Sequence, residues 1–254
     1  MKKLNIIVPV YNCEKTLIKT IKDLNNKLLT NINKILILDN NSTDKTIFLF
    51  KNFLKKKKLL KKKIILKKNK ENLGYGYSIK KGFNFFINDK NNFICIIHAD
   101  FQERPSIILN NYLRKIKEDA TLNLILSSRF KIRSKIQKYS KIRKLGNYFF
   151  NKMTYFCSSC KMSDAGTAII LIHKNILKII PYNSLSNSWY FHPQLNLLLF
   201  NLKEVKLAEI PLSWKDSEIK STLPLLRYGL GLFIVLIKFW YKKNITKTAL
   251  KNIF

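Results

Sequence analysis

Acidic residues are scarce in this chain: 15 Asp and Glu stand against 48 Lys and Arg, a formal net charge of +33. Such an excess suits polyanionic partners, whether nucleic acid, an anionic membrane surface or a phosphorylated substrate. Most of it is lysine, and it accompanies abundant Asn and Ile along the whole length. That is how a compositional bias looks, and the clusters at 55–58 and 61–63 read as solvated surface. No RNP, zinc-finger or helix-turn-helix signature accompanies the charge, so no nucleic-acid partner is expected. Cysteine is scarce as well. Cys13, Cys95, Cys157 and Cys160 make no disulfide framework and fit a reducing compartment. Cys157-Ser-Ser-Cys160 has half-zinc or redox spacing, but no second Cys or His pair completes a tetrahedron, which leaves small-residue packing. Glycine numbers seven, and none lies in the first strand-to-helix turn, Pro9-Val10-Tyr11-Asn12. This excludes the glycine-rich dinucleotide fingerprint, and Gly74-x-Gly76 lacks the third glycine that would make a phosphate cradle. The apolar run at 4–10 is too short for a signal peptide and has no small-residue cleavage pattern; it reads as a first strand.

What is present is enough apolar surface for a core, 46% of 254 residues. Residues 4–10 lead into a helical period of Leu17, Ile18, Ile21 and Leu24. A second strand at 34–38 ends in Asp39, after which Ser42 or Thr43 is placed to cap a helix. A third unit runs through 64–66 into NLGYGYSIKKGFNFF, and a fourth strand occupies 93–97. Four strand-helix units predict an α/β fold with a mostly parallel, doubly wound sheet. Beyond Pro105 come a helix near 107–116, a strand in LNLILSSRF, a basic amphipathic stretch, the turn Asp164-Ala-Gly-Thr and a strand near 205–210.

The stretch FICIIHADFQERP, 93–105, looks like the centre of the molecule. A buried parallel strand that ends abruptly in polar residues delivers them to the carboxyl edge of the sheet, where ligands bind. Asp100 and Gln102 share a face if the chain is extended there, and two hard oxygens could hold a divalent cation. The alternative is a strand end followed by a proline-terminated turn.

PVYN, DNNSTD, NLGYGYSIKKGF and HADFQ, at four successive strand ends, together resemble the inverting family-2 glycosyltransferases with the GT-A fold. ADFQ, SSRF, the arginine-rich stretch before LGN, DAGT and EIPLSW look most like the polyprenyl-phosphate branch. The resemblance implies a glycosyltransferase domain over 1–215 and a C-terminal segment, 216–254, with an amphipathic helix. By the same resemblance Pro9, Tyr11, Glu14, Asp39, Ala99 and Asp100 would contact a nucleoside diphosphate-sugar, Tyr11 stacking on the base. Asp100 and Gln102 match metal ligands, for Mn²⁺ or Mg²⁺, which would neutralise the departing diphosphate. His98 nearby favours Mn²⁺. Arg129 and Arg143 match positions that bind an acceptor phosphate, and Asp164 an acidic position close to the reacting sugar.

The sequence departs from that pattern at two places. His98 stands where the D-x-D triplet usually begins, and Ser217 and Lys220 occupy positions usually held by Arg and Gly, with Lys215 and Lys220 available to supply charge. Two other functions fit: sugar transfer to a hydroxyl of a growing surface glycan, with Asp164 as base, or nucleotide-sugar binding without catalysis. Residues 223–241 are expected to lie on a membrane without spanning it. Gly229 and Gly231 interrupt the run, and the eight residues 230–237 cover only about 12 Å of a hydrocarbon layer about 30 Å thick. The implied location is peripheral, on the cytoplasmic membrane face, with lysines 242, 243 and 247 against headgroups. A last core helix or a true span are the alternatives.

Overall fold

A computed structural model describes residues 3–158, 160–216 and 225–254. In chain order the elements are β1 (Leu4–Val10), α1 (Leu17–Lys22), α2 (Asn26–Thr30), β2 (Ile32–Asp39), α3 (Thr46–Lys55), α4 (Lys58–Lys63), β3 (Ile64–Lys68), α5 (Tyr75–Phe86) and β4 (Phe93–Ile96). There follow α6 (Pro105–Glu118), β5 (Leu124–Ser128), β6 (Ile136–Gln137), α7 (Lys141–Ser158), β7 (Ile170–His173), α8 (Lys174–Ile179), α9 (Phe191–Leu199), β8 (Leu207–Pro211), β9 (Trp214–Lys215) and α10 (Leu225–Asn244).

Seven strands form the main sheet in the order β3-β2-β1-β4-β7-β5-β8, and β6 pairs with β9 apart from it. All main-sheet pairings are parallel except those of β7, which runs against both β4 and β5. The fold is α/β with a mostly parallel sheet, as the strand-helix units predict. Each central strand is apolar on both faces because helices cover both. Ile6 and Val8 of β1 join the core beneath α1, α3 and α6, with Phe50, Leu109 and Tyr112, while Ile7 joins the opposite core with Phe83, Phe191 and Phe239. A Cβ on Gly82 would lie 2.7 Å from the Ile7 side chain, so the glycine lets α5 approach β1.

Register places the functional loops together. Val10 pairs with Asp39 and Ile7 with Ile96, so β1, β2 and β4 end at one edge. There the backbone continues the ladder, Asn40 N–H donating to Val10 O and Ile97 N–H to Ile7 O.

Three local expectations need correction. The helix after β2 is capped by neither Ser42 nor Thr43: Asp44 Oδ1 accepts the Thr46 N–H at 3.0 Å, because Ser42 is already bonded to Asp39. The helical period expected through Leu24 ends earlier, α1 stopping at Lys22, and a second short helix follows, capped by the Asn25 side chain. Gly229 and Gly231 do not interrupt α10, which is continuous from Leu225 to Asn244. A helical glycine costs only about 1 kcal/mol, and burial of Val235, Leu236 and Phe239 outweighs it. Ser217, Lys220 and the start of the 223–241 stretch lie outside the described residues.

Candidate active site

The loops after β1 and β2 are knitted together. Asn12 Oδ1 accepts the Thr43 N–H at 2.9 Å, Glu14 Oε2 accepts the Lys45 N–H at 3.2 Å, and Asp44 Oδ2 accepts the Glu14 N–H at 3.2 Å. Glu14 is therefore partly a loop brace. Asp39 is fully buried; its Oδ1 accepts from the Ser42 N–H and hydroxyl, while its Oδ2 has no partner in the chain. A buried carboxylate oxygen without a partner is costly, and an N–H or O–H donor from a bound ligand would supply the bond. Tyr11, two-fifths exposed on the neighbouring loop, is free to stack.

After β4 the chain does not stay extended. Phe101 takes a φ of +56°, and the expectation that Asp100 and Gln102 share an extended face fails for that reason. Gln102 Nε2 donates to Asp216 Oδ1 at 3.3 Å, and its backbone N–H to Asp100 Oδ1. Ala99 is buried, and its carbonyl accepts from the Thr20 hydroxyl. The side chains gathered with Asp100 are His98 and Glu103, their donor atoms all within 4.8 Å of one another. His98 Nδ1 lies 3.7 Å from Glu103 Oε1. Asp100, Gln102 and Glu103 line a pocket of ≈ 390 Å³ shared with Trp214, Lys215 and Asp216.

Behind His98 runs a polar chain no sequence spacing could disclose. Tyr75 Oη stands 3.1 Å from His98 Nε2 and 2.9 Å from His192 Nε2, and the Tyr75 ring stacks on Trp189 at 5.4 Å. Burial, then the Asp100 charge, push the Glu103 carboxyl well above the carboxylate range. Burial lowers His98, with Asp100 pulling the other way.

His192 is pushed down to about 3, by burial first and by His98 second. A base held neutral stabilises the fold fully above its unfolded value of about 6.5, and that contribution is lost as pH falls toward the folded value. Stability is expected to drop by up to about 1.4 kcal/mol per pH unit across that window on account of His192. Urea melts of His192→Gln between pH 7 and 4.5 should show a shallower acid limb than the parent; equal slopes would contradict this. Glu103, with its raised value, acts in the opposite sense, its contribution falling as pH rises.

Asp164, fully buried, accepts from Arg129 Nε and Nη2, both at 2.8 Å, and from the Arg129 backbone N–H at 3.0 Å. Arg129 Nη1 also reaches Tyr139, and Nη2 reaches Asn147. Burial alone would lower the guanidinium, but the Asp164 charge more than reverses that and holds it firmly protonated. The two residues meet, then, as one clamped pair. Arg143 bonds instead to Asp216, Nη1 to Oδ2 at 3.2 Å, so Asp216 bridges Arg143 and Gln102. Sequence reading missed Glu103, Tyr75, His192 and Asp216. Glu103 alone was signalled, as a carboxylate three residues from Asp100.

Gly74 and Gly76 serve packing: a Cβ on either would overlap the carbonyls of Asn187 and Ser186.

Comparison with known proteins bears on the fold and the family. An uncharacterised protein of Methanocaldococcus jannaschii, MJ0544, is 29% identical over 152 residues, 58% of this chain and 59% of the relative, so the match spans under two thirds of that protein. Mannosyl-3-phosphoglycerate synthase from Rubrobacter xylanophilus superimposes with a TM-score of 0.71 at 12% identity, covering 98% of this chain and 77% of that one. Glucosyl-3-phosphoglycerate synthase from Mycobacterium tuberculosis, solved with Mn²⁺, UDP-glucose and phosphoglyceric acid, does so at 0.63 and 12%, covering 95% and 79%. At such identities the likeness is one of fold. The family match is direct and covers residues 5–180, from β1 through α8 and including the clamped Asp164: the chain belongs to glycosyl transferase family 2.

Proposed function

We propose that this glycosyltransferase moves a sugar from a nucleoside diphosphate-sugar to a lipid-linked phosphate of the polyprenyl type, with inversion, at a membrane surface. For the donor, the reading is supported by Tyr11, by the unpartnered Asp39 oxygen and by the donor atoms around Asp100. A divalent cation, held by residues after β4, would neutralise the departing diphosphate. For the acceptor, Arg143 remains partly exposed, bonded to the pocket residue Asp216, whereas Arg129 acts by fixing Asp164. A phosphate acceptor is already ionised near neutral pH and needs no strong base. That suits Asp164, whose two oxygens are both engaged by Arg129, and argues against a hydroxyl acceptor.

One observation carries the lipid half of the reading. The α7 and α10 helices each bury one apolar face and turn a second one outward. On α7 the outward residues are Ile142 (81% exposed), Leu145, Tyr148, Phe149 and Phe156. On α10 they are Leu226 (89% exposed), Leu230, Phe233, Ile234 and Ile237. The helices touch, Phe156 stacking near Trp240 at 6.4 Å, so the two faces adjoin. Neither helix contains Asp or Glu, and Lys141, Lys144, Lys152 and Lys238 lie among the apolar side chains. Exposed apolar area ringed by lysine suits an anionic lipid surface. Among the described residues no helix is long and apolar enough to cross a membrane. A peripheral position on the cytoplasmic face follows from this reading.

A second reading has one support: both structural relatives are named for phosphoglycerate products, so a small phosphorylated acceptor would suit the same phosphate chemistry. Incubation with labelled nucleotide-sugars and membrane extract separates the two. Label passing into an organic-soluble phosphate is the expected result, while label confined to a water-soluble phosphate ester supports the second. Co-sedimentation with anionic liposomes should be lost in Phe149→Asp/Phe233→Asp; liposome binding indifferent to this pair would remove the membrane face.

A further inference from the structure

We propose that the divalent cation is held by three side chains, His98 through Nδ1, Asp100 and Glu103, with Tyr75 behind them taking the His98 Nε2 proton that this ligation requires. The cation's purpose rests on the sugar-transfer reading above; its ligand set stands on geometry.

The three donor atoms already lie within 4.8 Å of one another, so small side-chain rotations bring them onto one ion. Glu103 supplies an independent reason. It is 3% exposed, faces the pocket with Asp100, and neither of its carboxylate oxygens has a side-chain hydrogen-bond partner, His98 Nδ1 standing 3.7 Å off. A carboxylate stripped of water and left unpaired is costly, and such groups are retained where a cation or a proton completes them. Its backbone is fixed by a bridge to Trp214, which holds the carboxylate against the strand end. Gln102, by contrast, gives its amide nitrogen to Asp216.

The polar chain behind His98 completes the assignment. Tyr75 has one hydroxyl proton to share between two imidazole Nε2 atoms, so one of the two rings must donate to it. With the His98 Nδ1 lone pair on a cation, the His98 proton sits on Nε2 and is donated to Tyr75 Oη; Tyr75 then donates to His192 Nε2. His192 stays neutral with its proton on Nδ1, a buried atom with no acceptor in the chain, so it is ligation of His98 that turns the relay this way. Stacking on Trp189 holds the Tyr75 ring in place. This is the outer-shell orientation that metal-bound histidines use, and an imidazole among two carboxylates ranks Mn²⁺ above Mg²⁺.

The test uses Mn²⁺ as probe on the full chain, with and without UDP, read by electron paramagnetic resonance. Pulsed spectra of the wild type are expected to show coupling to one imidazole nitrogen, which needs no variant and so cannot be mimicked by misfolding. The coupling should vanish in His98→Gln. Glu103→Gln should weaken Mn²⁺ binding at least tenfold, and Tyr75→Phe by about tenfold with the coupling kept. Bound Mn²⁺ without nitrogen coupling, and with affinity unchanged in Glu103→Gln but lost in Asp100→Ala, overturns this ligand set and leaves the sugar-transfer reading standing. Mn²⁺ binding that survives Asp100→Ala, or no binding with or without UDP, overturns both.

Discussion

Arg129→Met is expected to lower folding stability by about 3–5 kcal/mol, the range for breaking a buried ion pair from one side. The cost arises from the partner left behind. Asp164 has no exposure to water, and three of the hydrogen bonds to its oxygens come from Arg129, two of them from the guanidinium. With the guanidinium gone, one backbone N–H remains for a buried charge. For a chain of this size the loss corresponds to a melting-temperature drop on the order of 10 °C. The double variant Arg129→Met/Asp164→Leu removes both charges and should be less destabilised than the sum of the singles by at least ~2 kcal/mol, the coupling of a paired network. Thermal and urea melts of the four proteins measure this directly. The contrary result is equally clear: if Arg129→Met melts like the parent and only weakens acceptor use, the guanidinium serves an acceptor phosphate, as the motif resemblance implies.

The same pair marks the boundary of what the sequence discloses. Strand ends were legible because a run such as 93–97 must be buried on both faces and must then release its polar residues at an edge. Register did the rest, and Tyr11, Asp39 and Asp100 fall on that edge as expected. The direction of β7 was not legible, since an apolar run looks alike in either sense. Arg129 and Asp164 were each singled out, yet their contact across 35 residues was not, because pairing depends on how β5 and the loop before β7 close together. Tyr75 and His192 stand 117 residues apart and meet only through α5 and α9. Gln102 was read as Asp100's companion on the assumption of extended chain, and a single positive φ at Phe101 turned it toward Asp216 instead. Apolar residues in α7 announced an amphipathic helix; that most of them face outward depends on Phe150 and Cys157 occupying the inward face, which is a matter of packing.

Asp100→Ala should show the opposite profile from Arg129→Met, a large loss of activity with little loss of stability. Asp100 is half-buried, lines the pocket and accepts one intramolecular hydrogen bond, a long one of 3.3 Å from the Gln102 N–H. Its removal leaves no buried group orphaned. It also relieves Glu103, whose carboxyl is pushed up by burial and then by the Asp100 charge. Stability is therefore expected to stay within about 1 kcal/mol of the parent, as for surface sites without special contacts. Activity is another matter, since under the proposed function the charge of the leaving diphosphate grows in the transition state and Asp100 helps hold the cation that offsets it. Losing a group that acts mainly on transition-state charge costs about 3–5 kcal/mol, or ~10²–10⁴ in rate. The measurement pairs initial rates at saturating Mn²⁺ and nucleotide-sugar with a melting curve on the same preparation. A variant that melts normally and turns over within tenfold of the parent would place the cation, or the chemistry, somewhere other than the end of β4.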